Sequence, residues 1–302
     1  MSTTKKIILI ASIIVAVIVL SIAGYGFYLY KTVKDTVTEM HQPIEREKTT
    51  RIVEVEKKQP LSFLITGVDS RGEEIKGRSD TIIVMTVNPN KKSVKMLSIP
   101  RDTRTHIVGK GIDDKINHAY AFGGVGMAMD TVSELLDIPI DHYVSVNMEG
   151  FKDIVDAVGG VTVNNSFAFK EGRFTFPEGE ITLSGEEALA YSRMRKQDPR
   201  GDFGRNDRQR QIINAVIQEG AQISSISKID DMLQAIGHNV KTDIEFDDMK
   251  EIQSKYRDAR HTVEQLQISG TGTTMNGIYY YIVPDEEIAR VTNELKEHLE
   301  IQ

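Results

Sequence analysis

The chain contains a long uncharged and strongly apolar run, from Ile7 to Tyr30. A helix of that length, rising about 1.5 Å per residue, crosses a hydrocarbon core of roughly 30 Å. Its far end is rich in aromatic residues, which favour the membrane interface: Tyr25, Phe27, Tyr28 and Tyr30. A cleaved signal peptide is the alternative, with small residues at Ser21–Ala23 as the processing site. Because the apolar run continues past that point, we predict an uncleaved transmembrane helix.

The residues that flank this segment hardly determine its orientation. Lys5 and Lys6 precede it and Lys31 and Lys34 follow it, so the positive charges do not discriminate between the two orientations. Keeping the short amino-terminal tail inside is the simpler topology, and we predict a single-pass type II protein of the cell membrane. The predicted divisions are a cytoplasmic tail (1–6), the transmembrane helix (7–30), a charge-rich extracytoplasmic stalk (31–60) and a folded extracytoplasmic domain (61–302).

The remainder of the chain alternates between strand and helix patterns. Leu61–Val68 is an apolar run of strand length, and Thr81–Val87 and Val94–Ile99 repeat the pattern around a turn at Asn88–Asn90. We predict an α/β fold in which a mixed central sheet carries helices on both faces. Further helices are predicted at 123–136, 151–158, 184–189, 226–236, 247–260 and from 285, with strands at 143–148, 161–163, 263–268 and 278–283 and a hairpin at 167–176.

Composition excludes several classes of function. The formal net charge of −7 argues against bulk affinity for nucleic acid, which usually needs a basic domain. The chain has no cysteine, which excludes disulfides, thiolate metal sites and cysteine nucleophiles. No P-loop, HExxH or GxSxG pattern is present, so we expect no nucleotide and neither of the corresponding hydrolase sites.

The segment Arg193 to Arg210 holds seven basic and three acidic residues within this acidic chain. If residues 191–195 are extended, Arg193 and Arg195 point to the same side. From Asp202 the pattern is helical, with Ile212, Ile213, Val216 and Ile217 as its buried face, and Asp202, Arg205 and Gln209 share one side of that helix. Guanidinium groups match phosphate oxygens in pairs, so the segment suits an anion clamp. A solvated basic face is the equally open alternative.

Two carboxylates flank the connection between the first two predicted strands. Asp69 follows the first strand and Asp80 begins the second, so both could face one site. Such a pair suits Mg²⁺, which binds a few protein oxygens and keeps several waters. A structural loop is the alternative, since Asp and Gly are common turn residues. Arg71 and Arg78 in the same connection weaken that alternative.

Further polar residues follow the third strand. Arg101 and Asp102 come directly after it, and Lys115 and His118 precede a predicted helix. Asp102 suits either a loop contact or a role toward substrate, and we interpret His118 as a hydrogen-bonded structural histidine. Two carboxylates and several cations at strand ends are the components that phosphoryl transfer needs, because that chemistry depends on positioning and charge stabilisation.

These motifs resemble those of the LytR-CpsA-Psr family. The matching stretches are GVDSRG, GRSDTIIVMTVNP, LSIPRDT, KINHAYAFGG, SGEEALAYSRMR and GDFGRNDRQRQII, in order from Leu61 to about Ala221. Within the family, they are most similar to the members that transfer teichoic acid. The resemblance implies an αβα domain outside the cell membrane. It also implies a magnesium-dependent phosphotransferase that moves an anionic glycopolymer from an undecaprenyl-pyrophosphate carrier to a muramic-acid hydroxyl of peptidoglycan, which forms a phosphodiester.

The resemblance also implies roles for individual residues. Asp69 and Asp80 match the family's magnesium carboxylates. Asp69, Arg78, Asp202 and Arg205 are the implied catalytic residues, with Asp202 paired to Arg205. The implied pyrophosphate contacts are Arg71, Arg78, Arg101, Lys115, Arg193, Arg195, Arg208 and Gln209. Asp69 and Asp202 are the candidates for the base that accepts the sugar proton. The family buries the prenyl chain in an apolar tunnel, whose lining the sequence does not identify.

Two other functions stay open at this point. An older description of the family is a membrane-anchored transcriptional regulator, in which Arg205–Arg210 would contact the DNA backbone. That function requires a cytoplasmic domain. A prenyl-pyrophosphate hydrolase would use the same site with water as the acceptor.

Overall fold

The computed structural model describes residues 20, 24–44, 46, 51, 53–70, 75, 77–220, 237 and 239–301. Most of the predicted transmembrane helix Ile7–Tyr30, the predicted helix at 226–236 and Arg71 lie outside these residues. Within them, residues 24–40 form a helix, α1, and no helix combines the length and apolar character needed to cross a bilayer.

Strands and helices alternate along the described chain. The strands are β1 (Leu61–Val68), β2 (Ser79–Asn88), β3 (Ser93–Ser98), β4 (Arg104–Ile107), β5 (Ile112–Lys115), β6 (His142–Val146), β7 (Val161–Asn165), β8 (Phe169–Glu171), β9 (Phe174–Phe176), β10 (Gly179–Leu183), β11 (Val240–Thr242), β12 (Val263–Leu266), β13 (Thr271–Met275) and β14 (Ile278–Ile282). The helices after α1 are α2 (Asn117–Leu136), α3 (Met148–Ala157), α4 (Gly185–Arg193), α5 (Asp202–Gly220), α6 (Phe246–Tyr256) and α7 (Asp285–Leu299).

The central sheet is mixed, as predicted. Among the described residues its strand order is β11-β6-β1-β2-β3-β12. β1 pairs antiparallel with β2 and parallel with β6, while β3 pairs antiparallel with β2 and parallel with β12. Side chains alternate along β1, so Leu64 and Phe63 enter different hydrophobic clusters on opposite faces.

Helices cover both faces of this sheet. On one face Leu64 belongs to the same cluster as Met129 of α2 and Leu295 of α7. On the other face Phe63 belongs to a cluster with Tyr256 of α6. The predicted αβα sandwich is therefore confirmed. A third cluster, beside the sheet, joins α3, α4 and α5 to the β7–β10 strands around Tyr191.

The segment 191–195, considered as a strand in the sequence analysis, is not extended. It includes the end of α4, which runs to Arg193, and Met194 leaves the helix at φ −59° and ψ 131°. A capping box of Ser184 and Glu187 begins this helix, within the helix predicted at 184–189. The helix continues through Tyr191 because this side chain joins the same buried cluster as Ala188, one turn earlier. On that side α4 packs against α3 and α5.

The described part of the predicted stalk contacts the domain at several points. Thr36 and Val37 of α1 are buried. Arg46 donates to Asp130 and to the Ile140 carbonyl, both at 2.8 Å. The division of the chain at residue 60 stays a prediction, but these contacts show that part of the preceding segment packs on the domain.

Candidate active site

Two adjoining cavities share Asp69, Asp80 and Arg101. We call the cavity of about 710 Å³ the large cavity and that of about 420 Å³ the small cavity. The shared residues meet because β1 ends at Val68, its antiparallel partner β2 begins at Ser79, and β3 ends shortly before Arg101. The sheet therefore places both predicted carboxylates at one edge, as the sequence predicted.

Arg101 connects the two predicted polar clusters. Its Nη1 lies 2.9 Å from Asp80 Oδ1, and its Nε lies 3.7 Å from Asp102 Oδ2. Asp102 in turn accepts from Lys115 Nζ at 2.6 Å. Burial lowers the pKa of Arg101, but attraction to Asp80 and their hydrogen bond outweigh it and raise the pKa overall. Asp102 thus holds two cations at the wall of the small cavity.

Helix α5 supplies the predicted trio of Asp202, Arg205 and Gln209. Arg205 and Gln209 border the large cavity, and Arg205 Nη2 donates to Asp202 Oδ2 at 3.0 Å. Burial lowers the pKa of Arg205, Asp202 opposes that effect, and nearby Arg101 adds to it. Among the described residues, Arg205 Nε and Asp202 Oδ1 are buried without a hydrogen-bond partner. An unpaired buried donor is costly, and a phosphate oxygen is one acceptor that would satisfy the Arg205 guanidinium.

Arg193 and Arg195 reach the large cavity by a different route from the one predicted. Arg193 is the last residue of α4 and Arg195 lies in the loop that follows, yet both border this cavity together with Lys196. Arg78 and Lys115 border the small cavity. The structure thus collects the predicted cations around the Asp69–Asp80 edge from five separate places in the chain.

Arg208 is the exception among the described site residues. Its side chain is 4% exposed and its Nη1 donates to Asp198 Oδ2 at 2.6 Å. The same guanidinium donates to the carbonyls of Tyr191 and Met194 at 3.1 and 2.5 Å, and it borders neither cavity. Its predicted contact with pyrophosphate does not fit this position, because Arg208 instead holds the backbone on either side of Arg193.

The large cavity has an apolar end that the sequence analysis did not identify. α3 and α5 line it with Phe151, Ile154, Ile212, Ile213, Val216 and Ile217. Ile212 is buried as predicted, whereas Ile213, Val216 and Ile217 are half-buried because their side chains face the cavity. The signal in the sequence was the aliphatic set Ile212, Ile213, Val216 and Ile217 on α5.

The carboxylates fit Mg²⁺ in one particular mode. Among the described residues, no group of three or more His, Cys, Asp or Glu side chains could hold a metal ion. Asp69 and Asp80 nevertheless border both cavities, and Mg²⁺ is often bound by one or two carboxylates together with substrate phosphates and water. The donor set therefore suits a magnesium ion that is held jointly with a phosphate ligand.

The predicted DNA contacts do not fit the structure. Arg205, Arg208 and Arg210 are 7%, 3% and 3% exposed, so their guanidinium groups are not available to a DNA backbone. The solvated basic face is wrong for these residues for the same reason. Of the three, Arg205 borders the large cavity, whereas Arg208 and Arg210 are paired with Asp198 and Asp207.

Comparison with known proteins agrees with this geometry. Residues 27–297 match the model of the LytR_cpsA_psr family. A polyisoprenyl-teichoic acid–peptidoglycan teichoic acid transferase of Halalkalibacterium halodurans is 58% identical over 302 residues, which are 98% of this chain and 99% of the relative. The crystal structure of Bacillus subtilis TagU is 53% identical, with a TM-score of 0.66 over 81% of this chain and 99% of that one. A structure of TagT bound to LI-WTA is 31% identical, with a TM-score of 0.74 over 86% and 100% of the two chains.

Proposed function

This chain belongs to the LytR-CpsA-Psr family, and on that premise we propose that it transfers a teichoic acid to peptidoglycan. The donor is an undecaprenyl-pyrophosphate-linked glycopolymer, and the acceptor is a muramic-acid hydroxyl. The product is a phosphodiester, which makes the enzyme a transferase of substituted phosphate groups. The relatives named as teichoic acid transferases support the choice of polymer.

The observation that carries this function is the two-ended character of the large cavity. One end presents Arg101, Arg193, Arg195, Lys196 and Arg205, and the other end presents aliphatic side chains of α3 and α5. A ligand that joins an apolar chain to a pyrophosphate satisfies both ends at once. The apolar end removes hydrocarbon from water, and the arginines pair with the phosphate oxygens.

The reaction needs charge stabilisation more than covalent help. The acceptor oxygen attacks the phosphorus on the glycan side, and the bond to the bridging oxygen breaks so that prenyl monophosphate leaves. Arg193, Arg195 and Arg205 bind the phosphate oxygens and take up the charge that develops on the leaving group. Asp69 and Asp80 would hold Mg²⁺, which when bound adds positive charge beside the same oxygens. The donor is already an activated anhydride, so no nucleotide is required.

Location follows from the substrates. Peptidoglycan and the polymer lie outside the cell membrane, so we propose that residues 7–30 anchor the chain and that the domain is extracytoplasmic. The uncharged run supports the anchor. Protease added to intact protoplasts should digest the domain, and the membrane fraction should hold the intact chain beforehand. A soluble form that begins near Gly24 would instead show that Ser21–Ala23 is a processing site.

The function is tested by product analysis with the full chain in detergent. The assay contains a lipid-pyrophosphoryl glycan, Mg²⁺ and an acceptor glycan, without ATP. Mass analysis should find a glycan–phosphate–glycan product and released prenyl monophosphate. If prenyl phosphate is released equally fast with and without the acceptor, and no linked product forms, the enzyme is a hydrolase.

A further inference from the structure

His118 and Asp114 form a hydrogen-bonded pair at the start of α2. Asp114 lies in β5, and the turn between β5 and α2 brings His118 Nδ1 within 2.7 Å of Asp114 Oδ2. The other carboxylate oxygen of Asp114 accepts from the Lys115 backbone N–H at 2.8 Å and from the Tyr280 hydroxyl at 3.4 Å. Hydrogen bonds from β5 and β14 therefore hold the Asp114 carboxylate in place, and the carboxylate in turn orients the His118 imidazole.

The pair determines which imidazole nitrogen is basic. Burial raises the pKa of Asp114, but the hydrogen bonds from His118 and from the Lys115 backbone bring it below its ordinary value. An ionised carboxylate only accepts hydrogen bonds, so Nδ1 of His118 carries the proton that it shares with Asp114. In a neutral imidazole, Nε2 then has the free lone pair. This is the arrangement by which a carboxylate orients a histidine base.

His118 borders the small cavity, together with Asp69, Asp80 and Arg101. Its neighbours Ala119 and Tyr120 are buried in the core, whereas the His118 side chain is 20% exposed. Among the described residues, Nε2 makes no hydrogen bond. A residue with an unpartnered basic nitrogen thus borders the same cavity as the carboxylates and the arginine of the phosphate site.

We propose that His118 is the general base of the transfer reaction and that Asp114 is its positioning residue. The proposal rests on the proposed function and adds the acceptor side of the same site. His118 Nε2 takes the proton of the acceptor hydroxyl while the oxygen forms its bond to the glycan-side phosphorus. The bond between that phosphorus and the bridging oxygen breaks, and prenyl phosphate leaves with the electron pair. The imidazolium then releases its proton to solvent.

The two carboxylates considered from the sequence are less suited to this role. Asp202 is paired with Arg205, so its charge is already offset. Asp69 is the proposed partner of Asp80 in holding Mg²⁺, and an oxygen bound to a cation accepts a proton poorly. The structure therefore changes the interpretation of His118 from a structural residue to a base.

The surroundings of His118 determine how a pH profile is interpreted. Its ring packs edge-on against Phe122 at 5.8 Å between ring centroids, and Lys110 lies over that phenyl ring. The charged and titratable groups that face it are Asp114 and Lys115 of β5, Tyr280 of β14, and Asp69, Arg78, Asp80, Arg101 and Asp102 around the small cavity. Since several carboxylates share this site, only the difference between wild-type and variant profiles reports on the imidazole.

The test compares His118→Gln and Asp114→Asn with wild type in the full chain, with the assay described above. His118→Gln should lower kcat by about 10²–10⁴-fold, the usual contribution of a general base, and should remove the acid limb that imidazole titration produces. Its affinity for the donor lipid pyrophosphate should stay unchanged. Asp114→Asn should lower kcat by a smaller factor and should alter the acid limb of the pH profile of kcat. The matched control is His106→Gln, because His106 also bonds a carboxylate at 2.7 Å, on Glu134, but borders neither cavity.

Two results would overturn the proposal. One is a His118→Gln variant with wild-type kcat and pH profile; the other is a parallel loss of donor binding, which would show a role in the phosphate site instead. Nitrogen NMR of the His118 imidazole in the wild-type protein gives a readout that does not depend on turnover. It should show the proton of the neutral ring on Nδ1. A proton on Nε2 would contradict the proposed hydrogen bond from Nδ1 to Asp114. If wild type releases prenyl phosphate but makes no linked product, the transferase function fails, and the variants still test the base through the release rate.

Discussion

Arg208 and Asp198 form a buried ion pair whose side chains are 4% and 0% exposed, with 2.6 Å between Nη1 and Oδ2. The remaining donors of Arg208 reach the carbonyls of Tyr191 and Met194, which flank Arg193. The pair therefore joins the first turns of α5 to the end of α4. Through this contact, a residue outside both cavities sets the position of the arginine that borders the larger one.

Breaking this pair should destabilise the fold. In Arg208→Met the Asp198 carboxylate stays buried without its partner, which typically costs about 3–5 kcal/mol in the free energy of unfolding. Urea unfolding of the variant and of wild type measures the difference. The control is Arg290→Met, which removes an ion pair with Glu287 from a site where the arginine side chain is 46% exposed, so the change should stay below about 1 kcal/mol. Equal effects of the two substitutions would contradict the assignment.

The Asp69–Asp80 edge should determine the magnesium dependence. Asp80→Asn removes an ionic oxygen ligand and the negative charge that pairs with Arg101 at 2.9 Å, so Mg²⁺ and the phosphate ligand should both bind more weakly. Calorimetric titration of Mg²⁺ in the presence of a prenyl pyrophosphate measures the change. Asp113→Asn is the control, since Asp113 pairs with Arg104 on the β4–β5 hairpin and borders neither cavity. Unchanged titrations for both Asp69→Asn and Asp80→Asn would rule out the proposed site.

Lysine should not replace the arginines of the large cavity. A lysine supplies a point charge but lacks the planar fork that matches two phosphate oxygens. We expect Arg193→Lys and Arg195→Lys to weaken prenyl pyrophosphate binding about tenfold or more, in line with about 1.5–3 kcal/mol for a charged hydrogen bond. The control is Arg173→Lys, on an exposed arginine that pairs with Glu186. Near wild-type affinity in both cavity variants would show that these arginines do not clamp the ligand.

His298 should make stability depend on pH. Its ring is 1% exposed and contacts Thr86 Oγ1 at 2.7 Å and Ser93 Oγ at 2.9 Å, and burial, with nearby Lys95 and Lys91, lowers its pKa to about 4. The unfolded chain binds this proton below about pH 6.5, whereas the folded chain does not until about pH 4. The contribution is therefore complete above the unfolded pKa and is lost as pH falls toward the folded pKa, for a total of about 3 kcal/mol.

The measurement is urea unfolding of wild type and His298→Gln between about pH 7.5 and about pH 5. Wild type should lose more stability across this range than the variant does. The comparison removes the contribution of the carboxylates, which titrate in both proteins. Parallel curves would mean that His298 titrates alike in the folded and unfolded chains.

Individual strands and helix starts of this fold can be predicted from the sequence. Leu61–Val68 is a strand with the predicted bounds, because an apolar run between turn residues has few other ways to bury itself. The capping box at Ser184 begins a helix where the pattern placed it, since the reciprocal hydrogen bonds join residues three apart. The motif order also determined the family. The strand and the capping box depend on residues only a few positions apart, so both can be recognised from the sequence.

Tertiary structure decided which polar residues became partners. Arg205 and Arg208 are three positions apart on one helix, yet one borders the large cavity and the other is bonded to Asp198 and the end of α4. The sequence did not reveal that His118 borders the same cavity as Asp69 and Asp80, which is the observation that led to the proposed base. The apolar residues of α5 likewise line a cavity together with residues of α3, which the helical pattern alone did not show. The partners of Arg208 lie 10 to 17 positions away along the chain, so the packing of the helices determines them rather than the local sequence.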